Sequence, residues 1–420
     1  MTTLDRTTFD DVAAGLSPGR SARMHAAFDI FAGLDMPSEK EEAWRYVSLD
    51  RDLRNLPLAG GGATPLPEGG FLRAVTDRDG TAVIVDGRSV LVESGQAELR
   101  AFRDLDDAES DDVAGFVSAD RDIFAAARAA FGTDGVQVVI PSGTIVTSPV
   151  VIDVQAVQEA ASFPYVDIRA GEDCEVDIIL ILRSAEGVGA VIAPQVGIRV
   201  GDRARVRYVA VQALDFAAVG VVHQRIEIGR DGSFKSGEIG LGGRLGRLDL
   251  DVVHEGNGSS SDVVGVYFGE YDQTLDYRMV LHHRGKNTSS NVFLKGAVED
   301  DAQSVFIGLL KIERDATRTS AFETNRNLVL SENAKAHSVP NLEILCDDVV
   351  CGHASSVGQL EEDHLYYLQS RGISKERAER MLIRGFFTEI IDRLPVHGLD
   401  QPVADELFGR FVEAQIEGRL

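Results

Sequence analysis

From Gly135 to about Ser356 the chain is written in short apolar runs, and helical periodicity is absent for more than two hundred positions. Val136 to Ile140, Val150 to Val154, Val176 to Leu182, Val206 to Val211 and Leu248 to Val253 have the length and β-branched content of strands. A polar turn followed by a small residue recurs between them: Glu172-Asp173-Cys174, Asp202-Arg203-Ala204, Asp231-Gly232-Ser233, Asp300-Asp301-Ala302 and Glu332-Asn333-Ala334. Anchored on the small residue, the spacings are 30, 29, 69 and 32, a period of roughly thirty with degenerate units inside the long gap. Regular polar corners between short strands predict a right-handed parallel β-helix, in which stacked rungs turn small and β-branched residues inward. Periodicity alone is also compatible with a β-sandwich or barrel.

Helical patterns flank this core, giving three expected regions: a mainly helical one over 1–134, the β-helix over 135–357 and a helical one over 358–420. Met24, Ala27, Phe28 and Phe31 recur at three, four and seven, and Gly33 and Pro37 end that helix. Ser38 and Glu41 read as a capping box opening a second helix through Trp44 and Tyr46, with Trp44 and Tyr46 as core residues. A Gly/Pro-rich stretch, Ala59 to Gly70, precedes a mixed region that ends in a helix over Asp120 to Phe131. Beyond Gly358, Ser374 caps a helix in which Ala378, Met381, Leu382, Phe386, Ile390 and Leu394 form a stripe stopped by Pro395. Val403, Leu407, Phe411 and Ile416 continue the pattern. Such a terminal unit packs on its own domain or serves as a cap or docking surface.

With 42 basic against 67 acidic side chains, a formal charge of -25 argues against nucleic acid or an anionic membrane as partner, and it reads as a solubility device or, less simply, a salt-rich habitat. Three cysteines, Cys174, Cys346 and Cys351, supply no disulfide framework, and no apolar leader or membrane-length stretch is visible. The cytosol is the expected compartment. There is no GxxxxGK[ST], HExxH, GxSxG or CxxC, so phosphate-loop ATPase, hydrolase and structural-zinc signals are missing. GLGGRLG, Gly240 to Gly246, lacks a following helix and reads as a solenoid turn.

One segment concentrates chemistry. Cys346, Asp347, Asp348, Cys351 and His353 lie within eight positions, and a Cys-x-His pair in an extended strand places both side chains on one face. Thiolate and imidazole suit iron, so Cys351 and His353 are the candidate ligands; the alternative is a buried structural cysteine beside a surface histidine. In an unbroken strand Cys346 faces away from both, and a turn at Asp347 and Asp348 is needed to bring it round. Cys174 reads as an inward packing residue, His282 and His283 face opposite ways, and Lys295 and Lys311 read as solvated.

The order of motifs here resembles the SufB/SufD family of SUF iron-sulfur assembly scaffolds. Leu342 to Ile344, Asp347 to Val349, Cys351, His353, Gly358 to Leu360 and Tyr367 to Ile373 match its C-terminal signature, and the Cys-x-His form is similar to SufD rather than SufB. Pro37, Glu42, Trp44, Arg45 and Tyr46 resemble its N-terminal stretch, and Ser304 to Gly308 and Asn327 to Ser331 fit its middle, so the likeness spans residues 30 to 395. After the histidine the family usually reads Gly-Ala-Thr, whereas this chain has Ala354, Ser355, Ser356. The resemblance implies a parallel β-helix and a non-catalytic scaffold subunit pairing with a SufB-like paralogue, with a homodimer open to the isolated chain. It implies a SufC-type ATPase that binds the ATP and docks on the C-terminal helical region, where Gln359, Tyr367, Arg371, Met381 and Phe386 are candidate contacts. It further implies a transient iron-sulfur cluster shared with the paralogue through Cys351 and His353, and a reduced flavin at the level of the complex. A SufB-type subunit, and a β-helix carbohydrate lyase or esterase, are the alternatives.

Overall fold

The computed structural model describes residues 3–49 and 51–417. Two long sheets face each other and share one apolar interior, forming a parallel solenoid of about eight turns. The first sheet runs Arg88–Glu93, Gly80–Val85, Val150–Ala156, Glu175–Ser184, Arg205–Ala213, Ser233–Gly240, Ser260–Gly269, Ser289–Val298, Thr319–Val329, Val349–Gly358. The second runs Glu98–Ala101, Gly135–Ile140, Tyr165–Ala170, Gln195–Val200, Val219–Ile228, Leu245–His254, Thr274–His283, Gln303–Ile312, Lys335–Ile344, with Ala161–Ser162 and Val191–Ile192 beside this path. The chain visits the sheets alternately, so each rung contributes one strand to each. All five strands anticipated in sequence are present.

The rungs stack in register, which makes ladders of inward residues. One reads Val176, Val206, Phe234, Ser261, Ser290, Ala321, Cys351. Two positions along, the next reads Ile178, Tyr208, Ser236, Val263, Val292, Glu323, His353. Cys174 is buried in the same interior, as a packing residue. The corners explain the period and correct its reading. Asp173, Arg203, Asp231, Asn287 and Arg318 have φ between 54° and 61° and precede strands of the first sheet, whereas Tyr271 and Asp300, at 53° and 55°, precede strands of the second. The sequence repeat therefore mixed two corner rows, and the gap of 69 is a passage from one row to the other. Left-handed backbone at each corner favours the Asp and Asn found at most of them.

Each sheet's outer face is covered by helices. Pro18–Gly33 and Ile123–Phe131 pack Met24, Phe28, Phe31, Phe124 and Phe131 against Val191, Val219, Val221 and Val305 of the second sheet. The expected helix after Ser38 is a single 3-10 turn, Glu42–Trp44, even though the Ser38 amide does donate to Glu41 Oε1 at 3.0 Å. Tertiary bonds explain why it stops: Arg278 donates to the carbonyls of Glu42 and Arg45, both at 2.9 Å, and Tyr46 takes φ 71°. Trp44 is buried, stacked on Phe124 with the Arg247 guanidinium over its ring.

On the other side, Lys375–Ile391 and Asp400–Ile416 cover the first sheet, packing Ile383, Phe387, Ile390, Leu407 and Phe411 on Val209, Val211, Val264, Val266 and Phe293. Of the stripe read in sequence, Ala378, Ile390 and Leu394 are buried, but Met381 is 46% exposed and Leu382 and Phe386 are half-buried, while Ile383 and Phe387 point inward between them. Lys295 is also buried rather than solvated. Its Nζ donates to the Phe386 carbonyl and to Glu389 Oε2, both at 2.6 Å, and so ties the helix to the sheet.

The two ends of the solenoid differ. At its start Arg88–Glu93 and Glu98–Ala101 run antiparallel to their neighbours and close both sheets. At its finish Lys335–Ile344 and Val349–Gly358 are edge strands of ten residues each, and Leu342, Ile344, Val350 and Val357 stand exposed on them, with Leu345 just beyond the first. Long edge strands bearing apolar side chains are templates for another chain.

Candidate functional site

Cys351 and His353 lie at this open end. Alternation along Val349–Gly358 puts Val349, Cys351, His353, Ser355 and Val357 on the inward row, above Thr319, Ala321, Glu323, Asn325 and Asn327 of the preceding rung. The expected shared face of Cys351 and His353 is therefore present. Nothing stacks on the far side of this row among the described residues, so His353 and Ser355 are exposed and Cys351 is half-buried. Partial burial raises the Cys351 thiol above its ordinary pKa. Across the mouth, Ser355 Oγ donates to Ser338 Oγ at 2.7 Å.

Cys346 enters the same interior. The chain bends at Asp347 and Asp348, so strand parity does not carry across, and Cys346 packs in the core that Cys351 borders. The intervening corner was the condition under which Cys346 could come round. It is buried, however, and belongs to the packing.

The other predicted contacts sit apart from this mouth, on the helical unit. Gln359 and Phe386 line one cleft, with Ser356 and Val357, where the last strand runs into the helices. Tyr367 and Arg371 are exposed together, the guanidinium 5.3 Å from the ring centroid. Met381 is exposed on the outer flank of Lys375–Ile391. His282 and His283 do face opposite ways: His283 is buried between Thr288 and Ser290, and His282 reaches out to Glu313 at 2.7 Å.

Sequence reasoning missed the polar residues inside the solenoid. Tyr208 donates to Gln224 Oε1 at 3.1 Å and Gln224 Nε2 to Glu238 Oε1 at 2.9 Å. Asn325 Nδ2 donates to Tyr267 Oη, and Asn327 Nδ2 to Asn325 Oδ1 at 2.6 Å. Burial pushes Glu238 up to about 7 and Glu323 to about 8, against the charged form in each case. A signal for Glu323, Asn325 and Asn327 existed in their i, i+2 spacing, but aromatic Phe322 on the opposite face disguised which row points inward.

Among the described residues one group of three donors converges, Asp122, His223 and Asp249, and its setting is an ion-pair network rather than a cation site. Arg128 Nη1 faces His223 Nδ1 at 2.9 Å, so His223 Nε2 carries the proton donated to Asp122 Oδ2 at 2.9 Å. Arg247 grips Asp249 through two bonds of 2.7 and 3.0 Å. With guanidinium groups already balancing both acids, this cluster fastens the helix Ile123–Phe131 to the second sheet.

Comparison with known proteins fits this architecture. Residues 152–386 match the model described as SUF system FeS cluster assembly, SufBD core domain. The iron-sulfur cluster assembly SufBD family protein of Mycobacterium bovis is 32% identical over 405 residues, covering 91% of this chain and 93% of its own length. The iron-sulfur cluster assembly protein SufD of Bacillus subtilis is 32% identical over 295 residues, 67% of this chain and 65% of its own. That of Escherichia coli is 24% identical over 399 residues, 93% and 92% of the two chains. With more than half of its length matched by the core-domain model and a relative above 30% identity spanning nearly all of it, the chain belongs to the SufBD family of SUF-system iron-sulfur cluster assembly proteins.

Proposed function

We propose that this chain is the SufD-type subunit of a cytoplasmic SUF scaffold, and that its open solenoid end meets a SufB-like paralogue. The observation that carries this reading is the last rung, whose inward row of Cys351, His353, Ser355 and Val357 stands uncovered on a long edge strand. A solenoid end of this kind is completed by a second solenoid end, through edge pairing and burial of the exposed Leu342, Ile344 and Val357. There Cys351 and His353 supply two donors to a cluster being assembled, and the paralogue supplies the rest. The cluster is cargo. A thiolate and an imidazole fit iron, and two donors fall short of the roughly four that hold a cluster, so transfer onward is favoured over retention.

The helical unit is the proposed seat of the SufC-type ATPase. Exposed Tyr367, Arg371 and Met381, with Gln359 and Phe386 beside the last strand, offer aromatic, cationic and apolar contacts of the kind enriched in interfaces. ATP is bound and hydrolysed by that partner, and this chain contributes no catalysis of its own.

Co-purification tests the reading: tagged chain expressed with its neighbours should bring down an ATPase and a second SufBD-type protein. Isolated chain should be colourless, and His353→Ala in the co-expressed complex should lower iron and acid-labile sulfide without separating the subunits. A chain that never recruits a paralogue, or a His353→Ala and Cys351→Ala pair with full cluster content, overturns it.

A further inference from the structure

Directly beneath His353 in its ladder sits Glu323, 1% exposed, with neither carboxylate oxygen hydrogen-bonded. A buried polar group without a partner is destabilising, so its retention calls for an occupant. The surroundings say from which side that occupant comes. Below it in the ladder is fully buried Val292, which offers no donor. In its own strand Ala321 is apolar, and Asn325 is committed to Tyr267 and Asn327. Across the interior is Gly308, where even a methyl would collide with both carboxylate oxygens, and its neighbour in the final rung is Pro340. Glycine there keeps the space the carboxyl occupies, and neither residue has a side-chain donor to give it. The remaining direction is upward, through the mouth, toward His353.

We propose that Glu323 and His353 form a divalent-iron site inside the solenoid mouth, with the carboxylate as the inner ligand and the imidazole as the outer one. Adjacent rungs lie about 4.8 Å apart. An iron ion about 2 Å from each donor bridges that step after modest side-chain rotation. A carboxylate meant merely to orient the imidazole would already be bonded to it, whereas these oxygens are unpartnered and await a charge. Carboxylate and imidazole are hard and intermediate donors that suit Fe(II), leaving the softer Cys351 thiolate, two residues away on the same row, for the sulfide-bearing cluster. This inference rests on His353 being an iron ligand; it adds an inner donor and a metal-loading step before any sulfur arrives.

The test uses the full isolated chain under anaerobic conditions, with Fe(II) alone and Co(II) as a spectroscopic substitute. Wild type should bind one ion per chain with a Co(II) visible band, and Glu323→Gln, which keeps volume but cannot offer an anionic oxygen to the ion, should weaken binding at least tenfold. His353→Ala should do the same. Gly308→Ala, which leaves both donors but crowds the carboxyl, should weaken it less, and thermal unfolding should show Glu323→Gln at least as stable as wild type. Binding within twofold of wild type in folded Glu323→Gln, binding indifferent to His353→Ala, or no ion bound by wild type, each overturns the inner-ligand assignment. These outcomes are independent of co-purification: a complex that assembles normally around a chain with no Fe(II) site leaves the scaffold reading standing and removes this one alone.

Discussion

The rung that contains Glu175–Ser184 and the rung that contains Val349–Gly358 occupy equivalent places in one sheet, yet their inward rows could hardly differ more. The first presents Val176, Ile178, Leu180 and Leu182, all buried, with rungs stacked on both sides. The second presents Cys351, His353, Ser355 and Val357 with a rung on one side only. Backbone hydrogen bonding and register are the same, so strand geometry does not account for the change. Neighbours do. A middle rung is stabilised by burying aliphatic area on both faces, and a terminal one can carry polar, reactive side chains because no rung of the described chain stacks on its far side. Between the two extremes the interior grades through Tyr208, Glu238, Asn325 and Glu323, so polarity enters the solenoid well before it opens.

The contrast breaks most sharply if charge is forced into the buried region and tolerated at the open one. Phe387→Asp places a carboxylate between the helix and the first sheet, at the heart of a fully buried contact. A loss of about 4 kcal/mol or more, with undocking of the helical unit, is expected by urea unfolding. Phe386→Asp, one residue away but half-buried, should cost about 1–2 kcal/mol. Equal losses in the two would mean that the buried face has been misassigned. The same packing bears on truncation: removing everything after Gly358 strips the cover from Val209, Val211, Val264, Val266 and Phe293, so the β-core should aggregate rather than survive as a soluble fragment.

Within a single ladder, Ile178→Ala empties a fully buried site and should cost about 2–4 kcal/mol. His353→Ala, at the open end of the same ladder, should change unfolding by less than about 0.5 kcal/mol in the isolated chain. Comparable values would show that the terminal rung is as constrained as the middle.

Glu238 sharpens the intermediate zone through pH. Its carboxyl ionises near 4.5 when unfolded and at about 7 when folded, raised by burial against the bond from Gln224. Between those values the folded state holds a proton that unfolding releases, so stability falls as pH rises from 4.5 to 7 and levels off above. Glu238→Gln should abolish that decline, adding about 3 kcal/mol at pH 8 and nothing at pH 4, since each tenfold change in proton affinity is worth about 1.4 kcal/mol. A difference between variant and wild type that is flat with pH removes the carboxyl from the account.

Much of the fold was legible because it depends on short-range rules. Strand runs such as Val176 to Leu182 and the apolar helical face around Phe28 declared themselves by period, and the corners by Asp, Asn and Gly. The capping box at Ser38 misled because Arg278 and Gln303, more than two hundred residues away, hold the carbonyls that a longer helix would have used. The stripe held at Ala378, Ile390 and Leu394 but misled in its middle, at Met381 and Phe386, because the adjacent Ile383 and Phe387 are equally apolar and packing alone chooses between them. The shared face of Cys351 and His353 was legible from their spacing. Glu323 was not, since an acid in a strand ordinarily points to water, and the register that buries it beneath His353 exists only once the rungs are stacked.

The smallest effect expected is also a direct probe of which rung is open. Three thiols lie along the interior: Cys174 and Cys346 buried, Cys351 half-buried at the mouth. Alkylation requires thiolate and access together. Burial pushes Cys174 up to about 11, leaving a minute reactive fraction at pH 8, and the reagent reaches it only through unfolding. The Cys351 thiol is also raised, so it should react more slowly than free cysteine, yet at least tenfold faster than the other two. A single slow-to-moderate phase of one thiol per chain is therefore expected, lost in Cys351→Ser and, if the proposed paralogue covers the open rung, suppressed when it is bound. Two comparable phases would place Cys346 at the mouth as well, and a phase unchanged by the proposed paralogue would mean that such a partner seats away from the open rung.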